Sequence, residues 1–366
     1  MARQERLLDS CDELIQAVSQ RDPERLRKAL QRVASAGTTS KPEQVNAGVA
    51  KLLPVVETIE YGPGAALAKL TGALTDFGTD VTAALPVLVR RATEAMELAA
   101  RLVSIYASGD GPGAASDGPA DKLPDPESPD QYEQTVRWLT AGPGRLSQAE
   151  AHEMAQAWFA GGDWVQPVMH LCQRKDVRAA LPDRERLTAT MAAAGDHIGT
   201  AHWLYGLLQV IDDASLIVLH RPTGRGYKLT ISGIGDNSQL HTLLATTLIG
   251  SERRGLLPGK KPSRAETAAA SEGPDLTPRG GIGGQFGLSD GNGVRIPHEG
   301  LPAAISLLRG ERVIVLDALT QPRSWNAGRS YPLMKPEITL QRHLSESEAG
   351  EWLAAVEPAR ASSTTS

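Results

Sequence analysis

The chain has 366 residues, 41% of them apolar, which suits two or three domains with cores of their own and excludes a wholly disordered protein. Its net charge is −5, and residues 107–130, with six acids and one lysine, carry all of it. The balanced remainder has no global field to draw it to nucleic acid or an anionic membrane. Two distant cysteines, Cys11 and Cys172, exclude a disulfide framework and an all-cysteine zinc site.

The chain opens Met-Ala-Arg-Gln-Glu-Arg and passes straight into an amphipathic pattern. A signal peptide would need an apolar core there, and a membrane helix a run of roughly 20 apolar residues. Neither is found, so a cytoplasmic protein is expected. Leu7, Leu8, Cys11, Leu14, Ile15 and Val18 recur at the helical period. Asp22-Pro23 reads as a cap and first-turn proline of a second helix, with Leu26, Leu30 and Val33 inward. A third helix should follow Lys41-Pro42 and kink at Pro54. Gly62-Pro63-Gly64 reads as a break, then Leu67, Leu70, Leu74 and Phe77 form a stripe, and Thr79-Asp80 opens a long helix to Tyr106. The stretch from Leu53 through Ala92 resembles one HEAT-type helical unit; a solenoid needs at least about three, and no second copy follows.

Residues 107–130 are dominated by Gly, Pro, Ser and Asp and read as an acidic disordered linker between separately moving modules. Helices resume near 131. Ser147-Gln-Ala-Glu150 is a capping box, the helix it opens should stop at Gly161-Gly162, and Asp163 should cap the next. A further pair is expected over about 183–194 and 197–211. Leu216–Leu219 and the alternating Tyr227–Ser232 then predict a hairpin whose first strand is the more buried. A helix over 238–249, a loop over 250–283, strands near 285–288, 294–296, 312–317 and 336–341, and helices near 302–309 and 345–356 complete the pattern. The expected fold is therefore multi-domain: an all-α N-terminal helical bundle or repeat-like region over 1–106, the linker, a helical subdomain over 131–211, an α+β domain over 212–357 with a mostly antiparallel sheet and helices on one face, and a disordered tail from 358.

Few motifs carry chemistry. Gly287-Leu-Ser-Asp-Gly291 spells a nucleophile elbow, but Asn292-Gly293 follows, which is hairpin chemistry where an elbow needs a helix. Gly255-Leu-Leu-Pro-Gly259-Lys260-Lys261 lacks the spacing and the Ser or Thr of a phosphate loop. Gly233-Ile-Gly235 lacks the third glycine of a dinucleotide fingerprint. His197 and His202, and likewise His170 and Cys172, diverge around a helix, so no metal and no cofactor are expected. Arg253, Arg254, Lys260, Lys261 and Arg264 have no interleaved aromatic and read as a solvated loop.

Two polar stretches stand out. Asp236-Asn237-Ser238-Gln239-Leu240-His241 opens a helix after a strand, where free amides favour an anion. Arg323-Ser-Trp325-Asn326-Ala-Gly-Arg329 joins forked donors to a flat apolar face. If they meet, Asp236, Asn237, His241, Arg323, Trp325, Asn326 and Arg329 form a ligand site, with His241 as acid–base and Arg323 or Arg329 as anion clamp. The leading expectation is nevertheless a non-catalytic intracellular interaction or regulatory protein with a protein partner; the alternative is an enzyme or binder of a small anionic ligand in the C-terminal α+β domain. Neither membrane nor nucleic acid is expected as partner.

Overall fold

The structure is a computed structural model and describes residues 2–75, 80–107, 123–141, 146–272, 281–319, 322–325 and 329–359. The chain divides into two compact units, Met1–Cys172 with Asp176–Leu208, and Gln173–Lys175 with Gln209–Ser366.

The first unit is helical: α1 (Ala2–Ser19), α2 (Pro23–Gly37), α3 (Pro42–Thr58), α4 (Tyr61–Leu74), α5 (Ala84–Ala107), α6 (Tyr132–Ala141), α7 (Gln148–Leu171), α8 (Lys175–Ala179), α9 (Arg184–Ala194) and α10 (Gly199–Leu208). Asp22 caps α2 as expected, its carboxylate accepting from Arg25 N. The break near Gly62-Pro63-Gly64 falls a few residues earlier, between Thr58 and Tyr61, so these residues form the first turn of α4. The expected stop at Gly161-Gly162 is not a stop, because α7 runs unbroken for 24 residues. A Cβ at Gly161 would overlap the Met96 methyl of α5, and one at Gly162 would lie 2.9 Å from Thr200 Oγ1. These glycines permit close helix packing, and packing outweighs their low propensity. Gly72 on α4 does the same, since its Cβ would lie 2.5 Å from Pro167 Cβ on α7.

Burial of Trp164 ties this unit together. Its indole N–H donates to Tyr61 O at 2.8 Å, and the Arg91 guanidinium lies 4.1 Å from the Tyr61 ring centroid and 5.0 Å from that of Trp164. Arg91 also donates to Ile59 O. A buried cation is tolerable only with such partners.

The contact boundary falls at Leu208/Gln209, whereas the sequence suggests a division at 107–130. Helix α5, which precedes the acidic segment, packs against α7, which follows it beyond α6, within the first unit. Residues 108–122 lie outside the described residues, as do 360–366 of the expected tail; from Leu123 the chain is placed, with Pro124 O accepting from the indole of buried Trp158 at 3.0 Å.

The second unit is α+β. Its six-stranded sheet has β1 (Ala214–His220), β2 (Arg225–Ser232), β4 (Gly287–Asp290), β6 (Glu311–Asp317) and β8 (Glu337–His343) in the order β4-β6-β1-β2-β8, with β5 (Leu307–Leu308) also on β6. β1 and β2 form the expected hairpin, and β1 is the more buried strand. Its neighbour β6 runs parallel, the one parallel pair among the described strands of the sheet; the others are antiparallel. Helices cover both faces, not one. Leu216, Val218, Ile314 and Leu316 pack with α11 (Asn237–Leu248), while Ile217, Leu219, Val313 and Val315 pack with Trp352 and Leu353 of α13 (Glu346–Ala355). A strand with near-continuous apolar residues is buried on both sides, which is the meaning of Leu216–Leu219. A two-stranded ribbon, β3 (Ile282–Gly283) with β7 (Ser324–Trp325), lies apart. Residues 264–271, expected as loop, form α12 (Arg264–Ser271) under a Ser263/Glu266 capping box. The helix expected over 302–309 is a single 3₁₀ turn, Pro302–Ala304, followed by β5, and the strand expected at 294–296 is only an isolated bridge between Ser289 and Arg295.

Candidate functional site

The site begins at the turn from β2 into α11. Gly233 has φ 62° and its Cβ would lie 2.6 Å from Lys335 O, so the chain needs glycine to turn there. Asp236 caps α11, Oδ1 accepting from Gln239 N at 2.7 Å. Gln239 closes the turn: its Oε1 accepts from Gly235 N at 2.8 Å and its Nε2 donates to Ala270 O at 2.7 Å.

The first amides of α11 are occupied, which departs from the expected anion site. Asn237 N donates to Gly300 O and Ser238 N to His298 O, each at 2.9 Å, and Asn237 Nδ2 donates to Pro297 O at 2.9 Å. The loop 297–300 is thus docked on the helix start by its own carbonyls. That docking carries His298 over the second turn of α11.

There three rings meet. His241 and Trp325 lie 4.9 Å apart between centroids, His298 and Trp325 stack at 4.5 Å, and His241 and His298 are near-parallel at 5.7 Å. Phe286 lies 5.9 Å from His241 and 5.8 Å from His220, the last residue of β1. The two polar stretches therefore do meet in space, through His241 and Trp325. Just beyond the second stretch, Ser330 Oγ donates to Asp236 Oδ2 at 3.0 Å.

His241 is 1% exposed. Its Nε2 accepts from Gln285 N at 3.1 Å and Phe286 N at 3.2 Å, which puts the ring proton on Nδ1. Burial first, and His298 second, push the imidazole down to about 3. Burial also lowers His298, opposed by Glu299. Burial raises Asp236 above its ordinary value, opposed by the N–H of Gln239 and the hydroxyl of Ser330. At neutral pH the ring cluster is uncharged.

Among the described residues, Asn237 Oδ1, His241 Nδ1, His298 Nδ1, Trp325 Nε1 and Arg329 Nε are buried without a hydrogen-bond partner. Each such atom costs on the order of 1–3 kcal/mol if left without a partner, and native proteins hold few of them.

The two arginines expected as anion clamp have other partners among the described residues. Arg329 donates from its two terminal nitrogens to Met334 O at 2.8 Å and to Pro332 O, and its Nε is buried without a partner among the described residues. Arg323 shares the β3–β7 ribbon with Trp325, its carbonyl accepting from Gly284 N at 2.8 Å, and it is not among the charges that act on His241 or His298. Asn326 lies outside the described residues. Sequence reasoning missed His298 and Phe286. A lone histidine between Pro297 and Glu299 has no periodic pattern around it, and only the docked loop reveals its neighbours.

The elbow-like motif at Gly287–Gly291 lies in a strand and a turn. Ser289 sits within β4 opposite Val315, so it belongs to the α13 face, and Asp290 Oδ1 accepts from Asn292 N and Val294 N in a turn that leads to no helix. Among the described residues no group of three or more His, Cys, Asp and Glu could hold a metal, and no helix is long and apolar enough to cross a membrane. The helical unit carries two adjoining clefts of about 610 and 580 Å³ that share Thr58, Ile59 and Glu60. No protein-family model matches the chain, and neither do the curated proteins or the solved structures.

Proposed function

We propose that the chain is a non-catalytic interaction or regulatory protein whose C-terminal unit recognises a small ligand at the Asn237–His241–His298–Trp325 cluster. One observation carries the reading. The His241 imidazole is buried and neutral, and its only proton-accepting nitrogen already receives two backbone amides. A general base needs a free lone pair and a pKa near the working pH, and this ring has neither. It does have an unpartnered N–H, and the neighbouring Trp325 indole N–H and the Asn237 amide oxygen one helical turn before it are likewise unpartnered among the described residues, which is recognition chemistry. The adjoining clefts of the helical unit offer surface for the interaction half of the reading.

Thermal unfolding of the full chain against a metabolite panel tests the proposal. A ligand that binds only the folded state raises Tm by mass action, and the shift should vanish in Trp325→Leu. Turnover of any bound compound, abolished by His241→Asn, would overturn it in favour of an enzyme.

A further inference from the structure

The two adjoining clefts of the helical unit differ in lining, and the difference selects what can occupy them. We infer that together they form one docking groove for a segment of a protein partner in which an apolar side chain lies close to a basic one. The inference rests on the interaction half of the proposed function and names the chemistry of the partner.

The first cleft, of about 610 Å³, lies where the end of α1, the turn into α2 and the link from α3 to α4 come together. Its wall includes Val18, Pro23, Leu26, Ile59 and Pro63. Val18, Leu26 and Ile59 are half-buried, and both prolines are exposed. The volume is that of an ordinary binding pocket, roughly 300–1,000 Å³. A concave apolar wall of this kind takes a projecting side chain, whose burial removes apolar surface of both partners from water.

The second cleft, of about 580 Å³, has Glu60, Glu150, Glu153 and Arg91 in its wall. Ser147 N at 2.9 Å and Ser147 Oγ at 2.7 Å donate to Glu150 Oε2, which holds the carboxyl below its ordinary value and leaves Oε1 without a donor among the described residues. Glu153 is exposed, and neither it nor Glu150 has an ion pair among the described residues. Arg91 does not neutralise them: it is 8% exposed, and its terminal nitrogens donate to Glu94 Oε2 and Ile59 O. Across both clefts four acids, Asp22 among them, stand against two arginines, Arg21 and Arg91. A basic side chain is the complement of that excess.

The clefts meet at Thr58, Ile59 and Glu60, which line both. Glu60 Oε1 accepts from Arg21 at 2.7 Å, and Oε2 from Gln156 Nε2 at 3.4 Å. The side chains of the Arg21 bridge are 82% and 54% exposed, and an exposed pair of this kind adds little stability. A partner's cation therefore displaces Arg21 at small cost. A nucleic acid would be repelled by the four acids, and a wholly apolar segment would leave Glu150 and Glu153 without a counter-charge. A peptide also brings carbonyl acceptors, the kind of partner that Arg91 Nε, buried and unpaired among the described residues, lacks.

The test uses the full chain and the fluorescence anisotropy of labelled synthetic peptides in which Leu-Leu and Lys-Arg are separated by one, two or three glycines. Counterparts carry Glu-Glu for Lys-Arg or Ser-Ser for Leu-Leu, and 4-phenylbutylamine serves as a competing small amine. One spacing at least should bind about tenfold more tightly than either counterpart, and its affinity should fall about tenfold between about 50 mM and about 500 mM salt. Glu153→Lys, checked for folding by circular dichroism, should weaken that peptide about tenfold. Arg21→Ala should tighten it, because Arg21 competes for Glu60. Should Glu153→Lys fail to fold, the salt dependence and the Glu-Glu counterpart still decide. A Glu-Glu peptide that binds as well as its Lys-Arg parent would overturn the basic chemistry and spare a docking groove, and with it the interaction reading. Displacement of the peptide by 4-phenylbutylamine at equal affinity would overturn the peptide occupant in favour of a small amine. Silence from every peptide would overturn the groove itself, while the thermal-shift panel judges the ring cluster separately.

Discussion

Acidification should remove stability through one identifiable ring. The unfolded His241 titrates near 6.5 and the folded ring near 3. Between those values the unfolded chain holds more protons, so stability rises with pH there. The contribution of His241 is complete above about 6.5 and is lost as pH falls toward 3. Between neutrality and about pH 4 the loss is roughly 3 kcal/mol, because each tenfold difference in proton affinity between the two states is worth about 1.4 kcal/mol. Other groups titrate in this range too, so the quantity to measure is a difference. His241→Asn keeps an acceptor for the amides of Gln285 and Phe286 and cannot titrate. Urea unfolding of both proteins at neutral pH and at about pH 4 gives the gap between them, which should move by about 3 kcal/mol in favour of the variant on acidification. A gap that stays constant with pH would overturn this prediction, because it would mean that the folded ring takes up its proton as readily as the unfolded one.

Asp236 differs in sign: burial raises its carboxyl, so its ionisation opposes folding and the penalty disappears as pH falls. Asp236→Asn should hold stability at pH 7 within about 0.5 kcal/mol, since Asn also caps, whereas Asp236→Ala should lose about 1 kcal/mol or more by urea titration. In the helical unit, Arg91→Ala removes a charge-assisted bond to Ile59 O and two ring contacts, and should cost about 2–4 kcal/mol in the same assay. Gly161→Ala should cost about 1–3 kcal/mol by overpacking against Met96. Gly350→Ala, in α13 with nothing near the added methyl, should instead gain about 0.5–1 kcal/mol.

Much of the fold is legible in the chain because local and tertiary demands agree. Tyr227–Ser232 alternates, and its residues Tyr227–Ile231 pair in register with Ala214–Val218. Ser147 and Glu150 form the expected capping box, and Asp22 and Ser345 cap the helices they precede. Legibility fails where a distant neighbour decides. Gly161-Gly162 looks like a helix stop, but Met96 and Thr200 make glycine the packing choice. The acidic composition of 107–130 predicts separation, but it says nothing of how the apolar faces of α5 and α7 meet. The short helix α12 has its signal in Ser263 and Glu266, a box that the surrounding alanines obscure.

The site follows the same division. Residue types mark His241 and Trp325 as members of two polar stretches, but only the fold shows that they meet. Occupation of the first α11 amides is not legible either, because it depends on carbonyls of Pro297, His298 and Gly300, far along the chain. That docking occupies the amides of the expected anion site, brings in His298 and leaves N–H donors of neutral rings as the unpaired chemistry of the cluster.

Long-range ¹H–¹⁵N correlation of the His241 ring, followed from about pH 8 to about pH 4.5, is the sharpest test of a neutral recognition site. One protonated Nδ1 and one lone-pair Nε2, unchanged across that range, are expected. A ring that gains its second proton with a midpoint near 6.5 would be incompatible with that site, and would return His241 to the roles of acid and base.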